Sequence, residues 1–548
     1  MIHLTRPDPT ADADLRHAST KPSPLLLRLA GATAFGGLLL YAVFAPHSIA
    51  GAWIALSISI LGWLARTLVT RRVRFPRRTA LDLPLWLFYA WSILSALLSA
   101  EPRISLLKLI SVSSFLIFYL VRALVRTRRA AVVLAALMIA SGAAGALWSA
   151  FEVARGRGVV VEEIATDSPF ARDQSRGITA GDSVWRVGGR RVNSVAEIDQ
   201  AIRDAPAGEP LKLSLFSQGE QVERVLDARM TAELKASASG LGLRGTQRAH
   251  RFRASGWTRH YQTFAETLQI LAQLALGFAL AYWQRRRTGH SSDSDDNGSR
   301  NNGDDNRNGS DGGNSGDGTR ASSRLRCALA ATAFVVLAAG IALTAMRTVL
   351  VAFAVGASVV AWRAARGRAR VVVAAVVVVA LALGAFAVWR TRAEGALRLQ
   401  DESSRLRRAV ARVALARTPA HPIFGHGMDA VKEHWTEWGF PGDVKIHTHS
   451  TPIQLAFDRG LPALLLWLWL LAAFRLVLKR GERSLRADTD AASAHGLLLG
   501  ATGALAGFFA SSLVNYNFGD AEVALVLWWL MGTVVSVAEG RRETTNDE

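Results

Sequence analysis

The sequence predicts an α-helical polytopic membrane protein of about twelve transmembrane helices, with one folded α+β insert. Three observations carry that reading. Apolar runs of about 20 residues, the length that crosses a hydrocarbon core of roughly 30 Å, recur along the chain. Short basic connectors separate every second pair of runs. Between the fifth and sixth runs lies a stretch with strand alternation and a capped helix.

A polar leader, 1–24, comes first. The runs follow at about 25–45, 48–69, 81–99, 104–124, 130–153, 264–283, 326–346, 348–362, 371–389, 452–474, 494–515 and 521–538. The first lies behind the leader and is too long for the apolar region of a cleavable signal peptide, so it reads as a span. The chain then divides into helices one to five (25–154), an insert (155–230), a basic segment (231–263) and helix six (264–287). A polar linker (288–323), helices seven to nine (324–389), a large loop (390–451), helices ten to twelve (452–538) and a tail (539–548) complete it.

The net charge of +20 suggests nucleic acid until its distribution is read. Much of it lies in RRVRFPRR (71–78), RTRR (126–129), QRRR (284–287), RAARGRAR (363–370) and the stretch from Arg475 to Arg486. All five fall between an even-numbered span and the next odd-numbered one, and such connectors resist translocation. Both termini are therefore expected in the cytoplasm, as Arg541 and Arg542 agree, and no nucleic-acid partner is expected. The large loops 155–263 and 390–451, and the corner at Arg347, fall on the outer side. The single Cys327 excludes an intrachain disulfide framework.

The outer loops nevertheless carry arginines. Arg244, Arg248, Arg251, Arg253 and Arg259 lie in one, and Arg390, Arg392, Arg398, Arg405, Arg407, Arg408, Arg412 and Arg417 in the other. Individually they can pair with lipid headgroups or nearby acids. As a set they point to a polyanionic ligand, because guanidinium grips phosphate oxygens in bidentate fashion.

The linker 288–323 is rich in Asn, Asp, Gly and Ser, cannot nucleate a core and reads as disordered. The insert reads as folded. GVVVEEI (158–164) is a strand, GDSVWRVGGRRV (181–192) a strand reaching a glycine turn, NSVAEIDQAIRDA (193–205) a helix capped by Ser194, and KLSLFSQGEQVERVLDA (212–228) a hairpin. This order resembles a PDZ domain of the kind carried by bacterial periplasmic proteases. The resemblance implies binding of a periplasmic protein partner by strand addition. A PDZ domain in a membrane protein raises the possibility of a metalloprotease, but no HExxH occurs. His447 and His449 are two residues apart with no third ligand evident, so no metal and no cofactor are expected.

These histidines belong to KIHTHSTPIQLAFDRG (445–460), which crowds the mouth of the tenth apolar run. HPIFGHG (421–427) followed by HSTPIQLAFDRGLPALL (449–465) resembles the O-antigen ligase and polysaccharide polymerase superfamily. Its pattern runs roughly HPLxGxG, then HNxxLQxxxxxGxxG opening a membrane helix. His449 takes the family histidine position and Gly460 the glycine eleven residues on, with Ser450 where Asn is usual. RASGWTRHYQTFAETL (253–268) is similar to the family's arginine-led helix entry, TAMRTVLVAF (344–353) to its SR corner, and SSRLRRAVARVAL (403–415) to its amphipathic segment. The resemblance covers about 250–548 and implies a GT-C-like helical fold.

It further implies a glycosyltransferase of the bacterial inner membrane. The donor would be a glycan on undecaprenyl diphosphate, used at the periplasmic face among membrane lipids. The acceptor would be the lipid A core, with a growing glycan or a protein hydroxyl as alternatives. His449 is the expected base. Arg253, Arg347 and Arg407 are the expected donor-diphosphate ligands, able to stabilise the departing charge without a metal. Secondary candidates are His447, Arg405, Arg408, Arg251 and His260. The hydroxyls at 448, 450 and 451 are expected to cap the helix mouth. A twelve-helix transporter and a PDZ-bearing scaffold are the rival classes; a transporter would bury ionisable groups or broken helices near the midplane.

Overall fold

The computed structural model describes residues 23–71, 76–168, 170, 178–217, 220–236, 242–250, 252–296, 315–375, 398–442, 445, 447–485 and 491–539. The membrane part begins with α1 (Pro24–Phe44), α2 (Ile49–Thr70) and α3 (Asp82–Leu98). Next, α4 (Pro102–Val112) passes through a tight turn into α5 (Leu116–Leu124), and α6 (Arg128–Arg155) leads out to the insert. Within the insert come β1 (Arg157–Val160), β2 (Glu163–Ile164), β3 (Ser183–Val187), β4 (Arg190–Arg191), α7 (Val195–Arg203), β5 (Leu211–Ser217), β6 (Glu220–Leu226), α8 (Ala228–Ala236), β7 (Leu243–Arg244) and β8 (Arg248–Ala249). The chain resumes with α9 (Tyr261–Asp296), α10 (Ser315–Leu343), α11 (Arg347–Ala364), α12 (Arg398–Arg417) and the single turn α13 (Ala430–Glu433). Last come α14 (Thr451–Leu485), α15 (Ala492–Ser512) and α16 (Ala521–Glu539).

Among the described residues, ten helical segments are long and apolar enough to cross a membrane, and α3 is apolar but shorter, at 17 residues. The protein is thus a polytopic helical membrane protein. The expected span at 371–389 falls mostly on 376–397, outside the described residues. The expected linker 288–323 differs at both ends, because α9 runs on to Asp296 and α10 starts at Ser315. Once nucleated, a helix gains one backbone hydrogen bond per added residue, even in polar sequence.

The most enclosed pair is α9 against α15. A Cβ at Gly277 would collide with the Gly500 backbone, so glycines on both helices let the two backbones touch. The basic connectors gather where α5, α11, α14 and α16 finish. There Arg122 reaches the Arg77 carbonyl (2.7 Å) and Glu539 (3.2 Å), and Arg363 pairs with buried Glu482, which also accepts from Thr502 (2.6 Å). The motif residues collect at the opposite end, where α11, α14 and α16 begin.

The insert folds around a six-stranded sheet of order β6-β5-β3-β1-β8, with β4 paired to β3 and a two-stranded β2-β7 ribbon beside it. Val159, Val184, Val187, Leu213 and Leu215 pack against Ile198 and Ile202 of α7. Ser194 caps α7 by accepting from the Glu197 N–H (3.2 Å). The sheet takes β8 from 248–249, beyond the expected limit of 230, because β1 pairs β3 on one side and needs a partner on the other. The insert is packed on the bundle. Trp185, Phe216 and Phe252 stack in series with centroids 5.6 and 5.2 Å apart, and Val153 of α6 joins them. Arg157 lies 4.1 Å over the Trp185 ring and 3.7 Å from buried Glu152 of α6.

Candidate active site at the kinked helix

The site is built on a break in α14. Gly460 has φ 79° and ψ 171°, and Pro462 follows. Proline has no N–H, so the Asp458 carbonyl four residues earlier loses its helical donor. In a membrane an unsatisfied backbone group costs several kcal/mol. The HPIFGHG loop supplies the missing partners. Gly427 N–H donates to the Asp458 carbonyl (3.0 Å), His426 N–H donates to the Phe457 carbonyl (2.8 Å), and the Leu461 N–H donates to the Pro422 carbonyl (2.8 Å). Trp91 Nε1 of α3 donates to the Arg459 carbonyl (2.9 Å).

This contact explains the glycines. A Cβ at Gly460 would strike the Ile423 carbonyl oxygen, and one at Gly425 would strike the Asp458–Arg459 backbone. The two motif halves found in the sequence are therefore one physical unit, a loop that closes a broken helix.

The break fixes the turn that carries the histidines. Gln454 Oε1 accepts from the Thr448 N–H (2.7 Å), while its amide donates to Asp458 (2.8 Å). His449 is held at φ 58°, in the left-handed region that non-glycine residues avoid. Its backbone N–H donates to His447 Nδ1 (3.2 Å), which leaves the proton of a neutral His447 on Nε2. The two rings lie 4.8 Å apart, and Tyr516 is 5.4 Å from His447. Burial, with the Arg407 charge nearby, pushes the His449 imidazole down to about 4. Burial also pushes His447 to about 3, aided by His449, Lys432 and Arg407. Both rings are thus neutral at pH 7.

The expected capping by hydroxyls takes another form. The Thr448 hydroxyl donates to the Ser450 carbonyl (3.4 Å), and Thr451 Oγ1 lies 3.1 Å from the Asn515 carbonyl and 3.0 Å from Asn517 Oδ1. Thr451 thus ties the mouth of α14 to the corner between α15 and α16. Asn515 also reaches Thr348 (3.1 Å), so the start of α11, with Arg347, belongs to the same cluster.

The arginines divide. On α12, Leu406, Val410, Val413 and Ala414 pack with Trp435, Phe440 and Phe457, and the charge of Arg407 on the same helix acts on both histidines. Arg405 and Arg408 are exposed on the same helix. Arg253 stacks on Tyr261 (4.6 Å) and lies 4.0 Å from Met346 Sδ, which brings it beside the Arg347 corner. Exposed Arg347 begins α11 after a left-handed Ala345 (φ 51°). Arg251 lies outside the described residues.

A cavity of about 440 Å³ opens beside the kink. His447 and His260 line it, but His449, Arg253, Arg347 and Arg407 do not. Sequence reasoning missed its charged groups: Lys108, Asp429, Lys432, Asp458, Arg459 and Asp520. Lys108 and Lys432 flank Asp429 at 2.7 and 2.9 Å. Although burial opposes it, those two lysines hold the Asp429 carboxyl below the usual range. Burial pushes Asp520 up to about 7, and Thr263 donates to it at 2.5 Å. The signal that could have revealed Asp458 and Arg459 is a charged pair inside an otherwise apolar run, and Lys108 stands out likewise in the fourth run.

Residues 332–468 match the family model described as O-Antigen ligase. The match spans the Arg347 corner, α12, the clamping loop, both histidines and the kink, and it supports the O-antigen ligase and polymerase superfamily recognised in the motifs. It leaves out the Arg253 segment and the insert. No curated protein matches the chain. The matched segment is thus the part of the chain in which a loop, a broken helix and a neutral histidine pair are interlocked.

Proposed function

We propose that this protein is a glycosyltransferase that moves a glycan from undecaprenyl diphosphate to a hydroxyl of the lipid A core at the periplasmic face of the inner membrane. The observation that carries this reading is the interlocking of the two O-antigen ligase motif halves at Gly460. That contact presents two neutral imidazoles beside a cavity lined by Lys108, Lys432 and Arg459.

The chemistry is a displacement at the anomeric carbon. An acceptor hydroxyl oxygen forms a bond to that carbon as the bond to the carrier's phosphate oxygen breaks. The electron pair leaves with the diphosphate, and cations stabilise it. His449 accepts the hydroxyl proton. Its low basicity makes it a late acceptor, taking the proton only as the new bond forms. His447, which lines the cavity, carries its proton on Nε2 and serves as a neutral donor to a phosphate or sugar oxygen. Arg407 serves the departing charge from beside His449, with Arg253 and Arg347 completing the cationic rim. The insert, whose β6 lies at the edge of its sheet, is read as a PDZ-like module open to strand addition by a periplasmic partner.

Lipopolysaccharide electrophoresis of a deletion strain tests the reading. Core without polymer, while polymer accumulates on the lipid carrier, is the expected result. Core bearing a single repeat unit overturns ligation in favour of polymerisation. Normal lipopolysaccharide with altered glycoproteins overturns the lipid acceptor.

A further inference from the structure

The joint between the insert and α6 holds a group of cations that the transfer chemistry does not use. Arg157 of β1 and Arg186 of β3 lie over the same indole, that of Trp185, at 4.1 and 4.6 Å from the ring centre. Arg191 of β4 and Arg157 both approach one oxygen, Oε1 of Glu152, at 3.7 Å. Three guanidiniums thus gather around one ring and one carboxylate. A separation of 3.7 Å is too long for a hydrogen bond. Stacking occupies the guanidinium faces and leaves the in-plane N–H donors unanswered. The Nε of Arg157 and that of Arg186 are buried without a partner, and so is the indole N–H of Trp185, a residue only 5% exposed. Burial lowers the basicity of Arg157, and the like charges of Arg191 and Arg186 add to that against the pull of Glu152. Buried cations and donors of this kind are costly until an anion meets them.

The level of the joint points to the source of that anion. Leu147 and Phe151, one turn apart on the spanning helix α6, are both more than half exposed, as side chains facing acyl chains are. Trp148 meets Phe151 at 5.5 Å and stacks on half-exposed Trp257 at 6.0 Å. Tryptophans gather where hydrocarbon gives way to headgroups. Glu152 follows four residues after Trp148, about 6 Å further along the helix axis. The headgroup layer is about 5–7 Å thick on each side of the hydrocarbon. The arginines around Glu152 therefore lie at the depth of lipid phosphates.

We propose that this joint binds the phosphate of a phospholipid from the leaflet on the insert's side, held by Arg157, Arg186 and Arg191 with the indole N–H of Trp185. A phosphodiester has two unshared oxygens, and guanidinium grips such oxygens in bidentate fashion. It brings one negative charge to a group with three positive charges and one negative. Arg191, with 57% of its side chain exposed, leaves the group open to an incoming headgroup. The acyl chains of the same lipid lie along Leu147 and Phe151. Free phosphate shares the head chemistry and lacks that apolar continuation. The bound lipid becomes part of the joint that seats the insert on the bundle, and the site needs neither the histidines nor the kinked helix.

The test uses purified full-length protein in lipid-free detergent, titrated with dioleoylphosphatidylglycerol and followed by native mass spectrometry and hydrogen–deuterium exchange. One bound lipid is expected, with slowed exchange over 157–160 and 183–187. Arg157→Gln and Arg186→Gln should each weaken binding by about tenfold or more, since each removes charge-assisted hydrogen bonds. Arg229→Gln, on the exposed face of α8, should leave it unchanged. Dioleoylglycerol, with the same tails and no phosphate, should give no protection. Exchange over β5 and β6 reports whether a variant insert keeps its fold. If the first two variants lose it, Arg191→Gln at its half-exposed position decides, with a severalfold loss expected. Wild-type affinity in the folded variants overturns the proposal, as does equal protection by dioleoylglycerol. Full protection by inorganic phosphate alone assigns a free anion and overturns the lipid.

Discussion

His449→Gly separates strain from chemistry. The backbone at 449 sits at φ 58°, where a side chain costs about 1–2 kcal/mol and glycine costs nothing. Glycine gives back about 0.5–1 kcal/mol through the entropy of the unfolded chain. Loss of the ring contact with His447 removes about 0.5–1.5 kcal/mol more. These contributions nearly cancel, so the denaturation midpoint in detergent should move by no more than a few degrees. Activity should respond differently. Removing a general base costs about a hundredfold to ten-thousandfold, and a base with a pKa of about 4 belongs near the low end. A hundredfold loss is about 2.7 kcal/mol of barrier. The assay is transfer from lipid-linked glycan to acceptor by purified protein, with thermal unfolding followed on the same sample. Transfer within tenfold of wild type refutes the role of base. A collapse in stability refutes the view that 449 holds its conformation for the sake of the side chain.

Three further outcomes follow from the geometry. Gly460→Ala places a Cβ against the Ile423 carbonyl oxygen at φ 79°, so it should abolish transfer and lower the unfolding midpoint, while Ala463→Gly on the same helix lowers stability without abolishing transfer. The pH–rate profile should be flat between about pH 5 and 7 because His449 is already neutral there, and should fall as acid approaches its pKa of about 4; a fall centred near the ordinary histidine value of 6.5 contradicts the burial argument. Burial and the neighbouring Glu522 raise Asp520 above the usual carboxylate range, so at alkaline pH it adds negative charge to the cavity and donor KM should rise, and Asp520→Asn should remove that rise.

The helical membrane class was legible because a span announces itself by length and apolarity alone. His449 and Gly460 were legible as a motif, and Arg407 was preferred over Arg405 and Arg408 by spacing; its charge acts on His449. What could not be read was the cavity. Lys108, Asp429, Lys432 and Arg459 come from elements far apart in sequence, and only the closing of the helix break brings them together. The role of Gln454 was equally hidden, since its value lies in one hydrogen bond back to Thr448 and one forward to Asp458. The end of the insert was misplaced because a two-residue strand such as β8 has no periodicity to detect.

The insert's position also changes what it can do. Read from sequence, it is a folded module followed by the basic segment that carries Arg253. In the structure its Phe216 stacks between Trp185 and Phe252, the residue directly before Arg253, and Arg157 bridges Trp185 to Glu152 of α6. Backbone continuity then hands that anchorage to Arg253, whose neighbour Ala254 donates to the Leu343 carbonyl (3.0 Å) at the α10–α11 corner. A rigid stack on one side and a hydrogen bond on the other fix both ends of a short segment. The guanidinium itself rests on Tyr261 and beside Met346, while the backbone that carries it is anchored through Phe252 to the insert. On this view a partner captured at the edge of the sheet could act on the site without touching it, by tightening or loosening a three-ring stack. The coupling has a bounded size, because aromatic pairs contribute about 0.5–1.5 kcal/mol each. That is enough to change the proposed transfer severalfold and too little to abolish it.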